Sequence, residues 1–238
     1  MGDPWWDGFF DRRYTDEWAA AGAFDATAQE VAGVLALVGG AGGLRILDVP
    51  CGGGRHAGLL HAAGHEVTGL DLSADQLAIA AERNPGPSYV RGDMRRPPPG
   101  PYDVVLNLFS SIGYVDDDVE DLAAIRAWHE VLVPDGVLVI ETNHRDRLAK
   151  IAEDGAEHPI GTTGGVEFGH VDWVTGRAHR TVRFVDGTER HFDVRMYTAT
   201  ELVGMVREAG FAEVEVFGGL EGGPLSPDTR LVIRARRR

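Results

Sequence analysis

Five short runs that read as strands, separated by helical stretches, constrain this chain most strongly: Leu44–Asp48, His65–Leu70, Ser88–Arg91, Tyr102–Leu108 and Val137–Glu141. Between them lie a helix running through Leu59 and Leu60 to Gly64, a helix over Ser73–Arg83 with Ser73 as N-cap, and a helix over Val119–Val133 stopped by Pro134-Asp135-Gly136. Strands that alternate with helices at this rhythm demand a mostly parallel sheet covered on both faces. The unbroken apolar character of Tyr102–Leu108 predicts a strand buried on both sides.

The pattern then changes. From Gly161 to Tyr197 apolar residues alternate (Val166, Phe168, Val171, Trp173; Val182, Phe184, Val185; Phe192, Val194, Met196), with turn signals at Thr175-Gly176 and Asp186-Gly187. Period two with tight turns predicts antiparallel hairpins. A helix over Ala199–Ala209 follows, capped by Thr198 or Thr200 and by Gly210, then strands at Ala212–Phe217 and Arg230–Arg234. Upstream, Pro4–Trp18 is dense in aromatics, and Val31, Val34, Leu35 and Val38 mark an amphipathic helix ending near Gly39-Gly40. One α/β domain is expected: an aromatic cap and helix over 1–43, a ligand-binding core over 44–145, an antiparallel insertion or substrate cover over 146–197, and a closing helix and strands over 198–238.

The first strand ends in a glycine-rich loop, Asp48-Val-Pro-Cys51-Gly52-Gly53-Gly54-Arg55-His56-Ala57. Glycines let a backbone approach a ligand closely, and the following helix offers free N–H groups. Read from Gly52 the loop also fits the dinucleotide fingerprint, and Asp71 lies where either a dinucleotide or S-adenosylmethionine (SAM) needs a ribose-binding carboxylate. The glycines alone do not separate the two. Asp48 favours SAM, because a carboxylate beside the loop repels a pyrophosphate but suits a ligand carrying an ammonium and a sulfonium. Its plain alternative is a loop brace that accepts backbone N–H groups.

With these residues in place, the chain resembles the class I SAM-dependent methyltransferases. Ile46–Gly54 matches their first motif, Gly69-Leu-Asp71-Leu72-Ser73 their second-strand motif, Gly92-Asp93-Met94 their third, and Pro134-Asp-Gly136 the turn before strand five. Asn107–Tyr114 is similar to the segment after strand four in the branch that methylates amino sugars and other small amines. The resemblance implies a Rossmann-like, doubly wound, mostly parallel seven-stranded sheet with the antiparallel β insertion before the last helix. It implies SAM as cofactor, held by Tyr14, Asp48, Cys51, Gly52, Gly54, Asp71, Leu72, Asp93, Met94 and Asn107, with Asp71 on the ribose and Asp93 and Met94 at the adenine. Gly53 stands where many members have Thr or Ser, so a hydroxyl contact is missing.

Methyl transfer needs alignment and exclusion of water, and a base only when the nucleophile is protonated. The catalytic candidates are Tyr14, which the resemblance implies as a cover over the SAM carboxylate or methyl end, Tyr114 after strand four, and His144 at the end of strand five, where ligands of such sheets sit. The plain readings are packing for the tyrosines and a hydrogen-bonded structural role for the histidine. Glu141 is expected to orient His144 or bind a substrate cation. Asp116–Asp118 reads as a solvated helix start and Arg234–Arg238 as a solvated basic tail.

Net charge is −14, which disfavours nucleic acid and anionic membranes. The single cysteine, Cys51, excludes an internal disulfide, and no spacing of His, Asp and Glu makes a metal site. No signal peptide and no apolar run of about 18 residues is visible, so a cytoplasmic protein is expected, as a monomer or homodimer. Methylation of a small molecule, on nitrogen rather than oxygen, is the expected activity. An NAD(P)-dependent oxidoreductase and a non-catalytic SAM-fold binding protein are the alternatives.

Overall fold

A computed structural model describes residues 5–6, 8–39, 42–152 and 155–238, so Pro4 and Gly40 of the sequence reading lie outside the described residues. The first half of the chain runs α1 (Arg12–Ala20), α2 (Thr27–Val38), β1 (Arg45–Asp48), α3 (Arg55–Ala62), β2 (Glu66–Asp71), α4 (Ala74–Arg83), β3 (Ser88–Arg91), β4 (Tyr102–Asn107) and α5 (Asp118–Val131). The second half runs β5 (Leu132–Thr142), α6 (Arg145–Ile151), β6 (His158–Pro159), β7 (Val166–Asp172), β8 (Arg177–Arg183), β9 (Glu189–Arg195), α7 (Ala199–Glu208), β10 (Phe211–Phe217) and β11 (Leu231–Arg237).

Seven strands form one sheet in the order β10-β11-β5-β4-β1-β2-β3, and four form a second in the order β6-β7-β8-β9. In the large sheet β1 pairs in parallel with both β2 and β4, which opens a crevice at their carboxyl ends where the strand order reverses. Only β11 runs against its neighbours β5 and β10. The small sheet is antiparallel throughout.

Alternation along each strand explains the burial. Leu47, Leu70, Val105, Leu138 and Ile140 face one core with Trp128 of α5 and Leu202 and Val206 of α7. Ile46, Val67, Val104, Leu106 and Val139 face the other with Val34 of α2 and Leu60 of α3. Neither face of the central strands meets water, so they read as continuous apolar runs.

Three sequence expectations are corrected. Pro134-Asp-Gly136 lies inside β5 rather than before it: Leu132 already pairs with Tyr102, and the register shifts before Val137 pairs with Val104. Arg234–Arg238 is not a solvated tail, because β11 runs to Arg237. Arg234 pairs with Glu215 and donates to the Leu37 carbonyl, and Arg237 donates to the Glu130 carbonyl at 2.8 Å. Asp116–Asp118 is more than a helix start. Asp117 caps α5 through the Val119 N–H, but Asp118 faces Arg195 at 3.2 Å.

The Tyr197 hydroxyl sits between Asp121 Oδ2 at 2.8 Å and Asp118 Oδ1 at 3.0 Å, tying α5 to the segment leaving the small sheet. Asp121 is fully buried. Tyr197→Phe leaves that carboxyl short of a partner, so unfolding free energy falls by about 1–3 kcal/mol in urea titrations at neutral pH.

Candidate active site

A cavity of about 470 Å³ opens at the carboxyl ends of β1, β2 and β3. Its floor comes from the loop after β1 and from Asp71, Leu72, Asp93 and Met94; its cover comes from Phe10, Tyr14, Phe109 and Tyr114.

Asp71 closes β2 and organises the floor. Its Oδ2 accepts the Gly52 N–H at 2.8 Å and its Oδ1 the Ser73 N–H at 2.9 Å. Burial holds its carboxyl above the usual carboxylate range, against the pull of those N–H groups. Each oxygen keeps lone pairs for a further donor, and the residue lines the cavity.

The loop's glycines divide their work. Gly52 has φ +52° and carries the N–H given to Asp71. Gly54 has φ +73°, and a Cβ there would overlap the Tyr89 hydroxyl and fall 2.9 Å from Ala80 Cβ. Gly54 is therefore a packing glycine between α3, α4 and β3, off the cavity wall. Cys51 lines the cavity, its N–H bonded to the Leu70 carbonyl at 2.8 Å, and burial pushes its thiol up.

Asp48 ends β1, 1% exposed, with Oδ2 lacking any hydrogen-bond partner. Burial raises its carboxyl to about 7, with Asp71 adding to the rise and Arg55 opposing it. Asn107, at the end of β4, donates from Nδ2 to the Val49 carbonyl at 2.7 Å and leaves Oδ1 without a partner. Both lie behind the loop rather than on the cavity wall. Asp93 faces the cavity, but Arg95 grips it through Nε at 2.9 Å and through its own N–H at 2.8 Å, which holds its carboxyl low. Met94 accepts Trp128 Nε1–H on its carbonyl at 2.8 Å and presents its side to the cavity.

The cover is aromatic. Tyr14 stacks on Trp18 (4.5 Å between ring centroids) and meets Phe10 edge-on at 5.0 Å. Phe10 stacks on Tyr114 at 5.6 Å, and Trp5 meets Tyr114 at 5.1 Å and Phe192 of β9 at 6.1 Å. Burial pushes both cavity phenols, Tyr14 and Tyr114, well above their ordinary range. Polar ties fix this cover: Ser73 Oγ donates to the Phe10 carbonyl at 2.7 Å, Gln76 to Thr15 at 2.8 Å, and Arg190 forks onto Asp11 at 2.9 and 2.6 Å.

His144 lies elsewhere. It is 1% exposed, caps α6 and donates from Nε2 to the Thr229 carbonyl at 3.0 Å, off the cavity wall. Being last on its strand put it at the right end of the sheet, yet its ring turns toward the segment before β11. Glu141 neither orients it nor faces a substrate. It pairs with Arg230 and accepts the Phe109 N–H at 2.8 Å. That bond supports a strained turn, Phe109 (φ +62°) and Ser110 (φ +63°), which puts the Phe109 ring on the cavity wall.

Sequence reasoning assigned no role to Arg55, Phe109 or the Asp11–Arg190 fork. Arg55 stood inside the quoted loop, but its contacts are Thr27 and Glu30 of α2, which spacing does not reveal. Glu30, although half-buried, is drawn down to about 2 by hydrogen bonds from His56 and Arg55.

The floor fits SAM better than a dinucleotide. The N–H groups of Cys51, Gly52 and Gly54 are already spent on Leu70, Asp71 and Cys51, so they do not cradle a pyrophosphate. The unpartnered Asp48 oxygen behind the loop favours a cation in front of it. Among the described residues no cluster of His, Cys, Asp or Glu is arranged for a metal, and no helix is long and apolar enough to cross a membrane.

Residues 46–136 match the methyltransferase domain family. The chain is 43% identical over 97 residues to a dTDP-3-amino-3,6-dideoxy-alpha-D-glucopyranose N,N-dimethyltransferase of Streptomyces fradiae, covering 40% of this chain and 38% of the relative. A dTDP-3-amino-3,4,6-trideoxy-alpha-D-glucopyranose N,N-dimethyltransferase of Streptomyces venezuelae is 38% identical over 97 residues, covering 40% of this chain and 41% of that one. The chain thus spans about two fifths of the length of the curated relatives it matches. Among solved structures, the CcbJ methyltransferase of Streptomyces caelestis superimposes with a TM-score of 0.75 at 23% identity, covering 89% of each chain. A SAM-bound amino pentose methyltransferase of Micromonospora echinaspora gives 0.68 at 24% identity over 97% of this chain and 98% of that one. These structures share the fold.

The Asp48 carboxyl sets a pH dependence. Its folded value of about 7 lies above its unfolded value of 3.8. The folded state therefore keeps a proton that the unfolded chain releases, and this contribution to stability is lost as pH rises from about 4 to 7. Asp48→Asn flattens that part of the curve, which denaturant melts at half-unit pH steps read directly.

Proposed function

We propose that this chain, a member of the class I SAM-dependent methyltransferases, moves a methyl group from SAM to the nitrogen of a small acceptor, an amino sugar or a comparable amine. The observation that carries the reading is Asp71, a buried carboxylate on the cavity wall with spare acceptor capacity, set beside a glycine loop whose Cys51, Gly52 and Gly54 N–H groups are already spent. The nitrogen preference is supported by the curated relatives, which act on amino sugars by name.

When bound, SAM supplies a methyl group on a sulfonium, already attached to a good leaving group. The chain's residues do the rest. Asp71 accepts the two ribose hydroxyls. Leu72 and Met94 give the adenine apolar walls, and Asp93, gripped by Arg95, offers its remaining lone pairs at the ring's edge. Tyr14, Phe10 and Tyr114 exclude water and align the acceptor.

Neither the two phenols nor His56 on the described cavity wall serves as a free base. The two phenols stay protonated at neutral pH, and His56 is bonded to Glu30 and pushed down by burial. The acceptor amine therefore gives its proton to solvent before transfer, and Tyr14 and Tyr114 orient the nitrogen through their hydroxyls. His144, off the wall, has no part in proton transfer.

The test is kinetic and calorimetric, with aminodeoxysugar nucleotides as acceptors. Asp71→Ala removes two charged-acceptor hydrogen bonds and weakens SAM binding by roughly 100-fold. Tyr14→Phe lowers kcat at least about tenfold with SAM affinity little changed, whereas His144→Gln keeps kcat within about threefold. The wild-type rate rises with pH along the acceptor's own titration. Unchanged SAM affinity in Asp71→Ala, or stabilisation of the chain by NAD and not by SAM, overturns the reading.

A further inference from the structure

Tyr114 reaches the cavity from the irregular segment between β4 and α5. Trp5 and Phe10 pack its ring, but a hydroxyl is aimed by the backbone that carries it. That backbone is tied at four successive carbonyls. Gly113 accepts the Arg195 N–H at 2.8 Å, and Tyr114 accepts Trp5 Nε1–H at 3.2 Å. Val115 and Asp116 both accept from one side chain, Arg177 of β8, through Nη2 at 3.0 Å and Nη1 at 3.3 Å. On the amide side, the Gly113 N–H goes to the buried Asp121 at 3.2 Å. Gly113 sits at φ +95°, and a Cβ there would overlap the Arg195 carbonyl oxygen, so β9 crosses the segment in direct contact.

Arg177 differs from the other ties. It is off the cavity wall, so it touches neither donor nor acceptor. Its Nε is committed to Asp193 of β9, and Asp193 faces His179 Nδ1 at 2.5 Å on its other side. The Arg177 side chain is only 15% exposed. A guanidinium is a planar fork whose N–H directions are fixed. With Nε held on Asp193 and the two terminal nitrogens on adjacent carbonyls, it sets the orientation of two successive peptide units directly after Tyr114. Among the described residues, neither carbonyl accepts from any other group. Holding the small sheet to the core does not require this fork, because Tyr114 already packs against Val171, Val194 and Met196. What the fork adds is direction.

We propose that Arg177 is a positioning residue for methyl transfer, fixing the Tyr114 hydroxyl against the acceptor nitrogen by holding the Val115 and Asp116 carbonyls. This rests on the reading above, in which Tyr114 orients the acceptor. The small sheet thereby has a share in the chemistry: β8 aims a group that belongs to the other sheet's side of the cavity.

The test combines kinetics with tyrosine NMR on the full chain. Arg177→Met keeps the stem and removes every donor. It lowers kcat for amine methylation about tenfold, with affinity for S-adenosylhomocysteine within about twofold by calorimetry. Arg177→Lys keeps the cation beside Asp193 but cannot span two carbonyls; its kcat falls between, and it serves if the methionine variant melts without a cooperative transition. In a Tyr114→Phe background Arg177→Met costs less than about a further twofold, because Arg177 acts through the hydroxyl already removed. With ring-labelled tyrosine, the signal lost in Tyr114→Phe is the one that moves in Arg177→Met, while those of Tyr89 and Tyr102 stay.

An unmoved Tyr114 signal overturns the proposal. So does an unchanged kcat in the folded variants, or a full tenfold loss repeated in the Tyr114→Phe background, which marks a merely structural role. A wild-type chain that binds no S-adenosylhomocysteine or methylates no amine sinks the reading above instead, and the NMR arm then still decides whether Arg177 places Tyr114.

Discussion

The site depends on one carboxylate placed at the end of a strand. Asp71 takes N–H groups from the loop after β1 and from the start of α4, and so joins the first two turns of the sheet. Burial works against its charge, and the two N–H bonds offset part of that penalty. The proposed ribose contact would supply the remaining donors. The carboxylate thus braces the loop while its spare lone pairs face the cavity, and a substitution there disturbs the loop whatever the ligand.

The cover follows a different logic. Its aromatic rings pack edge-on and stacked across three separate segments: the N-terminal stretch, the loop after β4 and β9. Their position is set by polar ties at the margins, Phe10 to Ser73, Thr15 to Gln76 and Asp11 to Arg190. Apolar contact gives the cover its substance and hydrogen bonds give it its register. The phenols are withdrawn from water by the same packing, and so work as hydroxyl groups rather than as proton acceptors.

The parallel core was legible in the sequence because a strand buried on both faces leaves an unbroken apolar run, and turn residues punctuate it. Ile46–Asp48 and Tyr102–Asn107 are the clearest instances. The hairpins were legible for the opposite reason: one buried face leaves alternation. What the sequence concealed was direction and distant pairing. His144 sits at the expected end of β5, but whether its ring turns to the cavity or to Thr229 depends on the segment before β11, more than eighty residues on. Gly54 carries the loop motif yet answers to Tyr89 and Ala80. The arginine run at the C-terminus hides a strand because its acidic partners lie across the hairpin in β10 and its carbonyl partners on other elements.

The Asp11–Arg190 fork joins residues 179 positions apart. The floor of the cavity is lined by groups from the first three strands and their turns, braced from α5 where Trp128 holds the Met94 carbonyl. The roof needs β9, from which Arg190 reaches back to the beginning. The two halves of the enclosure thus come from opposite ends of the chain and meet at one charged fork. Loss of the fork between Asp11 and Arg190 would therefore loosen the roof while leaving the floor's own hydrogen bonds intact.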